Sequence, residues 1–467
     1  MSLKDSGRSK GTVLIMGTLD TKGAEFAYLK ELIEQAGLNT ILMDTNTGGE
    51  PVIIPDISAG EVAAAGGGDI AEIRASRDTG KCTPIMINGA ITKALELYEG
   101  GSLDGIISIG GDSGTTLGTT VMKALPFGVP KFMVSSTASM PGYAAGYIGT
   151  KDIIMMHSVV DIAGLNDLVK DVLVRAAGAI CGMLEIRRKL LNREAQGVET
   201  VTDTAEGSVI DIGRQQVKPL VAITEFKFSE GCCKYLRKYL VEKGYDVIAF
   251  HAQGIGDRAL DELIEQGWFD GVLDIVPSGV SEGLFGGNRA AGPSRLVAAG
   301  KRGIPQIVTP CGFDMISCGP LERKDRDDPL WTSRKLAERQ LFIPDTFRVQ
   351  VRTNAEEVRE VARETAARLN RARGPVKFLL PLKGWSTLSS AGGALYNSEV
   401  DRAFAEEFRS HLGSQVELIE LDMELNSEEF ARVALKAFDE SMEQGLVNRE
   451  QIEYIFLNEY FAARNNN

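Results

Sequence analysis

The chain has 467 residues, 43% hydrophobic and 25% charged, which is the make-up of an ordinary globular protein with room for two or three domains. A formal net charge of −13 argues against general nucleic-acid binding, because nothing broadly basic offsets phosphate repulsion. No apolar run is long enough to span a bilayer, and three histidines with six scattered cysteines in no zinc spacing argue against a His- or Cys-rich metal centre.

Residues 1–10 are polar and carry no signal-peptide core; with thiols expected to stay reduced, the chain reads as cytoplasmic. Thr12 to Met16 reads as a first strand, followed by the loop Gly17-Thr-Leu-Asp-Thr-Lys-Gly23 and a helical stripe of Phe26, Leu29, Leu32 and Ile33 that ends at Gly37. Thr40 to Met43 is the second strand, closed by Asp44-Thr45. The βαβ rhythm predicts a parallel sheet with right-handed crossovers. Residues 50–80 read as a loop with a short helix carrying Arg74 and Arg77, and helical residues continue to Glu99. Ile106 to Ile109 is a strand that breaks into Gly110-Gly-Asp-Ser-Gly-Thr115, after which Leu117, Val121, Met122 and Leu125 recur at helical spacing. Strand, glycine-rich turn and helix together aim backbone N–H groups and a helix dipole at an anion. Val129 to Val134 and Ile153 to Met156 are further strands, and a long helix starts near Asn166. The polar stretch 187–207 marks the boundary between a domain spanning 1–200 and another spanning 201–467.

The second half restarts the pattern. Leu220 to Thr224, Val247 to Phe250, Gln306 to Thr309, Phe347 to Arg352 and Val376 to Leu380 read as strands. Three phrases recur in the same order in both halves: Gln35-Ala-Gly37 with Glu242-Lys-Gly244, Leu103-Asp-Gly-Ile-Ile107 with Phe269-Asp-Gly-Val-Leu273, and Phe127-Gly-Val-Pro130 with Arg302-Gly-Ile-Pro305. Ordered recurrence predicts two similar Rossmann-like α/β domains with mainly parallel sheets, followed by a C-terminal helical tail from Ser427 to Arg464.

Open α/β sheets bind ligands beyond the carboxyl ends of their strands. Four such ends in the first half carry hydroxyls, N–H groups or charge. Gly17, Thr18, Asp20, Thr21 and Lys22 follow the first strand, and Thr45 the second. Gly110, Gly111, Ser113, Gly114 and Thr115 follow the third, and Ser136 the fourth. Lys22 or Arg77 could neutralise phosphate, and Asp20 or Asp112 could hold magnesium. Singly these are weak signals, since a lysine such as Lys22 is more often a solvated helix-start residue. Their convergence on one sheet edge points to a nucleotide or phosphorylated ligand. Neither a Walker sequence nor a dinucleotide G-x-G-x-x-G is present. In the second half, Gly279-Val-Ser-Glu-Gly283 fits a nucleophile elbow, but the only downstream histidine, His411, sits in a charged helical stretch. Ser278, Ser281, Glu282, Arg295 and Asp314 are alternative lining residues for a small polar substrate, weighed against an ordinary glycine-rich loop.

Gly17-Thr-x-Asp-Thr-Lys22, Gly110-Gly-x-x-Gly-Thr115, Gly128-Val-Pro-Lys131, Ser135-x-x-Ala-Ser139, Tyr147-Ile-Gly149, Gly164-Leu-Asn166 and, later, Ala291-Gly-Pro-Ser-Arg295 and Gly384-Trp-Ser386 occur in this order. As a set they resemble a family of uncharacterised bacterial and plant proteins that includes the ATP-binding inhibitory domain of the tomato mosaic virus resistance protein. Whereas the magnesium expectation rests on Asp20 and Asp112, the resemblance implies ATP held by the first domain and a homodimer. Asn166 joins the expected nucleotide-binding set on that basis. Two readings of an ATP-binding protein stand side by side: an ATP-dependent enzyme acting on a small polar metabolite in an interdomain cleft or, alternatively, a non-catalytic regulatory or interaction protein with ATP as a structural ligand. The chain departs from the family at Asp112, where glycine-rich neighbours usually carry Ser, and at Met140. A carboxylate at 112 repels phosphate unless a metal intervenes or it points away.

Overall fold

The structure, a computed structural model, describes residues 11–76, 79–140, 142–195 and 218–445. It divides into two compact units, residues 1–215 and 216–467.

The first unit is a five-stranded sheet of β1 (Thr12–Gly17), β2 (Asn39–Asp44), β3 (Gly105–Gly110), β4 (Lys131–Ser135) and β5 (Ile153–His157). The order is β2-β1-β3-β4-β5 and every neighbouring pair is parallel. Continuous apolar strands of this kind need cover on both faces, and the side chains alternate accordingly. Val13, Ile15, Ile107 and Ile109 pack with Phe26, Leu29 and Ile33 of the helix Gly23–Gln35 and with Leu173 and Ile180 of the helix Asp167–Ala195. Leu14, Met16 and Ile106 pack on the other face against Val62, Met86, Val121 and Met122. The helix after β1 therefore covers one face and the helix after β3 the other. Strand order reverses between β1 and β3, which makes a topological switch point there.

Gly17, the last residue of β1, is required by packing. A Cβ built on it would lie 2.0 Å from Cζ of the fully buried Phe26. Gly17→Ala is expected to lower stability by about 1–3 kcal/mol through overpacking, read as a fall in the urea midpoint. An unchanged midpoint would mean that the Phe26 ring moves aside freely.

The second unit contains β6 (Leu220–Glu225), β7 (Asp246–His251), β8 (Gly271–Asp274), β9 (Gln306–Val308), β10 (Met315–Ser317), β11 (Leu341–Phe342), β12 (Gln350–Arg352), β13 (Val376–Pro381) and β14 (Val416–Leu421). Its main sheet runs β14-β13-β9-β8-β6-β7, all parallel. Counted from its own first strand, this is the order of the first unit with one strand added. The helix Glu230–Glu242 after β6 packs on one face through Cys232, Leu236 and Leu240, and the helix Gly279–Phe285 after β8 packs on the other through Val280 and Phe285. The switch point recurs between β6 and β8.

Three expectations change. The expected strand Phe347 to Arg352 shrinks to β12 and lies in a separate antiparallel sheet, β10-β12-β11. The Asp345 carboxylate accepts from the N–H groups of Phe347 and Arg348, each at 2.9 Å, and so turns the chain before it can extend. β14 was not expected; it is a half-buried edge strand whose Glu417 and Glu420 break up the apolar run. Of the C-terminal tail, residues 428–445 are helical and Ser427 Oγ caps them, accepting from Phe430 N at 3.1 Å; the rest of the expected helix lies outside the described residues.

All six cysteines are free thiols and five are buried, with burial pushing Cys233 up to about 12. Among the described residues no helix is long and apolar enough to cross a membrane.

Candidate functional site

Because β1 to β5 are all parallel, the loops after them emerge at one edge of the sheet. The register pairs Gly17 with Asp44 and Gly110 with Ser135, so the loop 17–23 and the turn 110–115 leave adjacent strands side by side.

At the tip of β1, Thr18 Oγ1 and Thr21 Oγ1 share a hydrogen bond of 3.0 Å, and the helix Gly23–Gln35 begins at Lys22 without a side-chain cap. Lys22 Nζ donates to the carbonyl of Ile162, tying the loop before the long helix to this corner. Gly164 N donates to the buried Glu25 Oε1 at 2.6 Å in the same contact. Asp20 Oδ2 accepts from Gly49 N at 3.0 Å, which folds the loop after β2 over the same corner.

At the tip of β2, Asp44 is sealed from solvent and accepts from Leu19 N at 3.1 Å and Asn46 N at 3.0 Å. Burial pushes its carboxyl above the ordinary carboxylate value against those hydrogen bonds. The neighbouring Thr45 Oγ1 and Asn46 Oδ1 are buried and have no hydrogen-bond partner among the described residues. Asn46 escaped the sequence reading, where it looked like one more turn residue.

At the tip of β3 the helix Asp112–Ala124 begins at Gly111, and no side chain caps it. The first intrahelical bond is Thr115 N to Gly111 O at 2.8 Å. The N–H groups of Asp112, Ser113 and Gly114 meet no acceptor among the described residues. The glycines divide into two kinds. A Cβ on Gly110 would meet Gly114 Cα at 2.9 Å, so packing requires that glycine. A Cβ on Gly111 would meet only Ser136 Oγ at 3.6 Å, and one on Gly114 only Ile109 O at 3.7 Å. Packing does not explain the last two; close approach of another molecule to the backbone would.

A hydroxyl chain braces this turn. Thr115 Oγ1 donates to Ser135 Oγ at 2.7 Å, Ser135 Oγ shares a bond of 3.1 Å with Thr137 Oγ1, and Thr137 Oγ1 shares one of 3.2 Å with Tyr147 OH. Tyr147 OH also donates to Asp112 Oδ1 at 3.1 Å, so a phenol occupies one oxygen of the carboxylate expected to repel phosphate. Ser136 N donates to Gly110 O at 3.1 Å, which fixes Ser136 beside Gly111. Thr115 itself is buried and serves as a brace.

Asn166 caps the long helix, with Oδ1 accepting from Val169 N at 3.0 Å, and that bond accounts for the residue. Arg77 lies outside the described residues. Among the described residues no group of three or more His, Cys, Asp or Glu side chains could hold a metal ion. Asp20 and Asp112 each use one oxygen in the bonds above, and the second oxygen of each makes no hydrogen bond among the described residues. Lys131 of the family motif lies at the opposite edge of the sheet, fully buried and paired with Asp152 at 2.8 Å.

In the second unit, the serine-hydrolase arrangement is absent. Ser281 is fully buried and donates to Ser278 O at 2.9 Å. It follows the carboxyl end of β8, whereas His411 precedes the amino end of β14, at the other edge of the sheet. Arg295, a candidate lining residue, is a structural charge: Nε donates to Asp257 Oδ1 at 3.0 Å and the other nitrogens to Asp274 and Val276 O. Asp314 is likewise engaged, accepting from Ser386 Oγ at 2.6 Å and Gly312 N at 3.0 Å. The residue that sequence reasoning missed here is Arg289, in the loop Gly286-Gly-Asn-Arg289, where no spacing marks it.

The model described as the uncharacterised protein family (UPF0261) N-terminal domain matches residues 11–189, and that of the UPF0261 C-terminal domain matches residues 218–442. A UPF0261 protein of Clostridium tetani is 36% identical over 92% of this chain and 99% of its own length. One from Rhizobium meliloti is 32% identical over 91% of this chain and 98% of its own. The ToMV resistance protein Tm-1(GCR237) of Solanum lycopersicum is 29% identical over 91% of this chain and 55% of that longer protein. Among solved structures, UDP-N-acetylglucosamine 2-epimerase from Rickettsia bellii matches with 11% identity over 64% of this chain and 79% of that one, at a TM-score of 0.22, too low to carry an argument about a ligand.

Proposed function

This chain belongs to the uncharacterised protein family UPF0261, and from that premise we propose that its first unit binds a nucleoside polyphosphate, ATP foremost, at the carboxyl ends of β1 to β4. One observation carries the reading. At the switch point, the helix Asp112–Ala124 presents uncapped N–H groups between two glycines, Gly111 and Gly114, whose missing side chains no neighbour requires. Phosphate suits such a helix start because the N–H groups and the dipole both favour negative charge. The unpartnered Thr45 Oγ1 and Asn46 Oδ1 lie one strand tip beyond β1. Lys22, Thr18 and Thr21 supply an ammonium and hydroxyls from the loop after β1. Magnesium bound with the nucleotide would fall to Asp20 and Asp112 and would offset their charge against the phosphates.

ATP titrated into the full chain with magnesium is expected to bind saturably by calorimetry and to raise the melting temperature. In the double variant Gly111→Ala/Gly114→Ala the affinity is expected to fall at least about tenfold while the chain stays folded without ATP, because alanine favours the helix over glycine at 114 and so offsets the less favourable alanine at the N-cap, 111. Equal affinity in variant and parent removes the helix start from the site. Release of ADP or phosphate by the full chain distinguishes an ATP-consuming enzyme from a protein that keeps ATP as a ligand.

A further inference from the structure

We infer that the second unit carries its own binding site, independent of the nucleotide reading, for a small organic oxyanion with a flat apolar body, centred on Arg289. The site is a recess of ≈ 450 Å³ at this unit's switch point, within the range of small-molecule pockets. Its floor comes from the chain leaving β6 and its far wall from the small antiparallel sheet.

Charge is the first argument. The protein carries −13 overall, yet among the described residues no Asp or Glu lines this recess, whereas Lys227, Arg289 and Arg348 do, the last of them paired with Asp345. The second argument is an unmet hydrogen-bonding demand. Arg289 is 6% exposed, its Nε and Nη1 are buried with no partner, and no guanidinium nitrogen makes a hydrogen bond among the described residues. A guanidinium taken out of water without acceptors is costly, and natural folds seldom leave one so. Six positions on, Arg295 is as deeply buried and is held by Asp257 and Asp274, so acceptors are to hand in this unit. Glu282, Asp257 and Asp314 are near enough to act on the Arg289 charge, but none comes within 4.0 Å of its nitrogens and none lines the recess. Burial works against the Arg289 charge and the field of these carboxylates opposes that only in part. Gln350, 1% exposed, also lines the recess; among the described residues its Oε1 has no partner, and as an acceptor it would meet a hydroxyl or N–H of the ligand and not the anionic oxygens.

The walls give the apolar body its place. The Phe226 ring lies 5.4 Å from the Arg289 guanidinium, and Phe228 and Phe342 meet edge to face at 5.8 Å. Phe347, 79% exposed, stands at the rim. A carboxylate or phosphate on the arginine with a planar group among the rings satisfies both halves of the surface.

Calorimetry on the full chain with benzoate, phenyl phosphate and inorganic phosphate tests this. At least one of the two aromatic anions is expected to bind saturably and more tightly than inorganic phosphate; which of the two wins identifies the head group. Arg289→Met is expected to weaken that binding at least about tenfold, and the double variant Gly111→Ala/Gly114→Ala to leave it unchanged, which separates this recess from the site in the first unit. Should Arg289→Met not fold, the surface variants Lys227→Ala and Phe347→Ser decide, each expected to weaken binding a few-fold. Absence of saturable binding by all three probes overturns the inference. So does undiminished binding in Arg289→Met, or in both surface variants, which would leave Arg289 as a structural charge satisfied by buried water.

Discussion

Arg295→Met is expected to cost the second unit about 3–5 kcal/mol, the usual penalty for removing one partner of a buried ionic cluster. Arg295, Asp257, Asp261 and Asp274 are each no more than 2% exposed. Burial opposes the Arg295 charge, but Asp274, Asp257 and Asp261 outweigh it and hold the group above its ordinary value. The guanidinium bonds to Asp257 and Asp274, lies 3.8 Å from Asp261, and donates to Val276 O at 3.2 Å. Without it, three carboxylates remain together in a dry interior. They come from the helix Ile255–Glu265 and from the end of β8, so the loss also unpins that helix from the strand. Urea unfolding at pH 8, followed through the transition of the second unit, measures the loss. Pairing Arg295→Met with Asp257→Asn and Asp274→Asn should restore a large part of it, because the penalty lies in the orphaned charges. A loss below about 1 kcal/mol would contradict the cluster's stabilising role.

The second large effect is a pH dependence. Glu282 is fully buried; Oε1 accepts from Ser317 N at 2.9 Å and Oε2 has no partner among the described residues. Burial pushes its pKa from the ordinary 4.5 to about 7, with Arg289 pulling the other way. A carboxyl whose folded value is raised holds its proton more tightly in the folded state. Its stabilising contribution is complete below pH 4.5 and is lost as pH rises through 7. The shift corresponds to about 3 kcal/mol across that window. Asp261, pushed to about 7, and Asp401, pushed to about 6, slope the same way, both through burial. Stability of the parent should therefore fall from pH 4.5 to 7.5, and Glu282→Gln should flatten that fall by roughly the share given above. Urea midpoints at half-unit pH steps measure both slopes; parallel slopes in parent and variant would mean that Glu282 is ionised in the fold already at pH 5.

The β1–β5 sheet was legible because each strand is a short apolar run bounded by a glycine or a polar turn, and because the phrases before the strands repeat in both halves. The 2-1-3-4-5 strand order shared by the two sheets was not part of that reading; the pairing of the strands sets it. β12 was legible only as the end of a longer strand, and β10 and β11 were not legible: they are two or three residues long and exist only through their antiparallel pairing with β12. Within the candidate site, Gly110, Gly111 and Gly114 looked alike in sequence. Only the distances from a built Cβ separate the one that packing requires from the two that it does not. Asn166 and Thr115 carried the right chemistry, but a helix cap and a hydroxyl brace account for them.

Local sequence determined the parallel α/β architecture, its repetition, and which loops gather at the strand tips, because hydrophobic periodicity and turn residues act over a few positions. The tertiary structure alone decided which charges are met. Arg289 and Arg295 are both buried arginines six positions apart, yet Arg295 falls against three aspartates brought in by a helix and a strand end, while Arg289 feels carboxylates near it but bonds to none among the described residues. Hydrogen bonds reach only about 3 Å, so a side chain's role rests on neighbours that folding delivers from elsewhere in the chain.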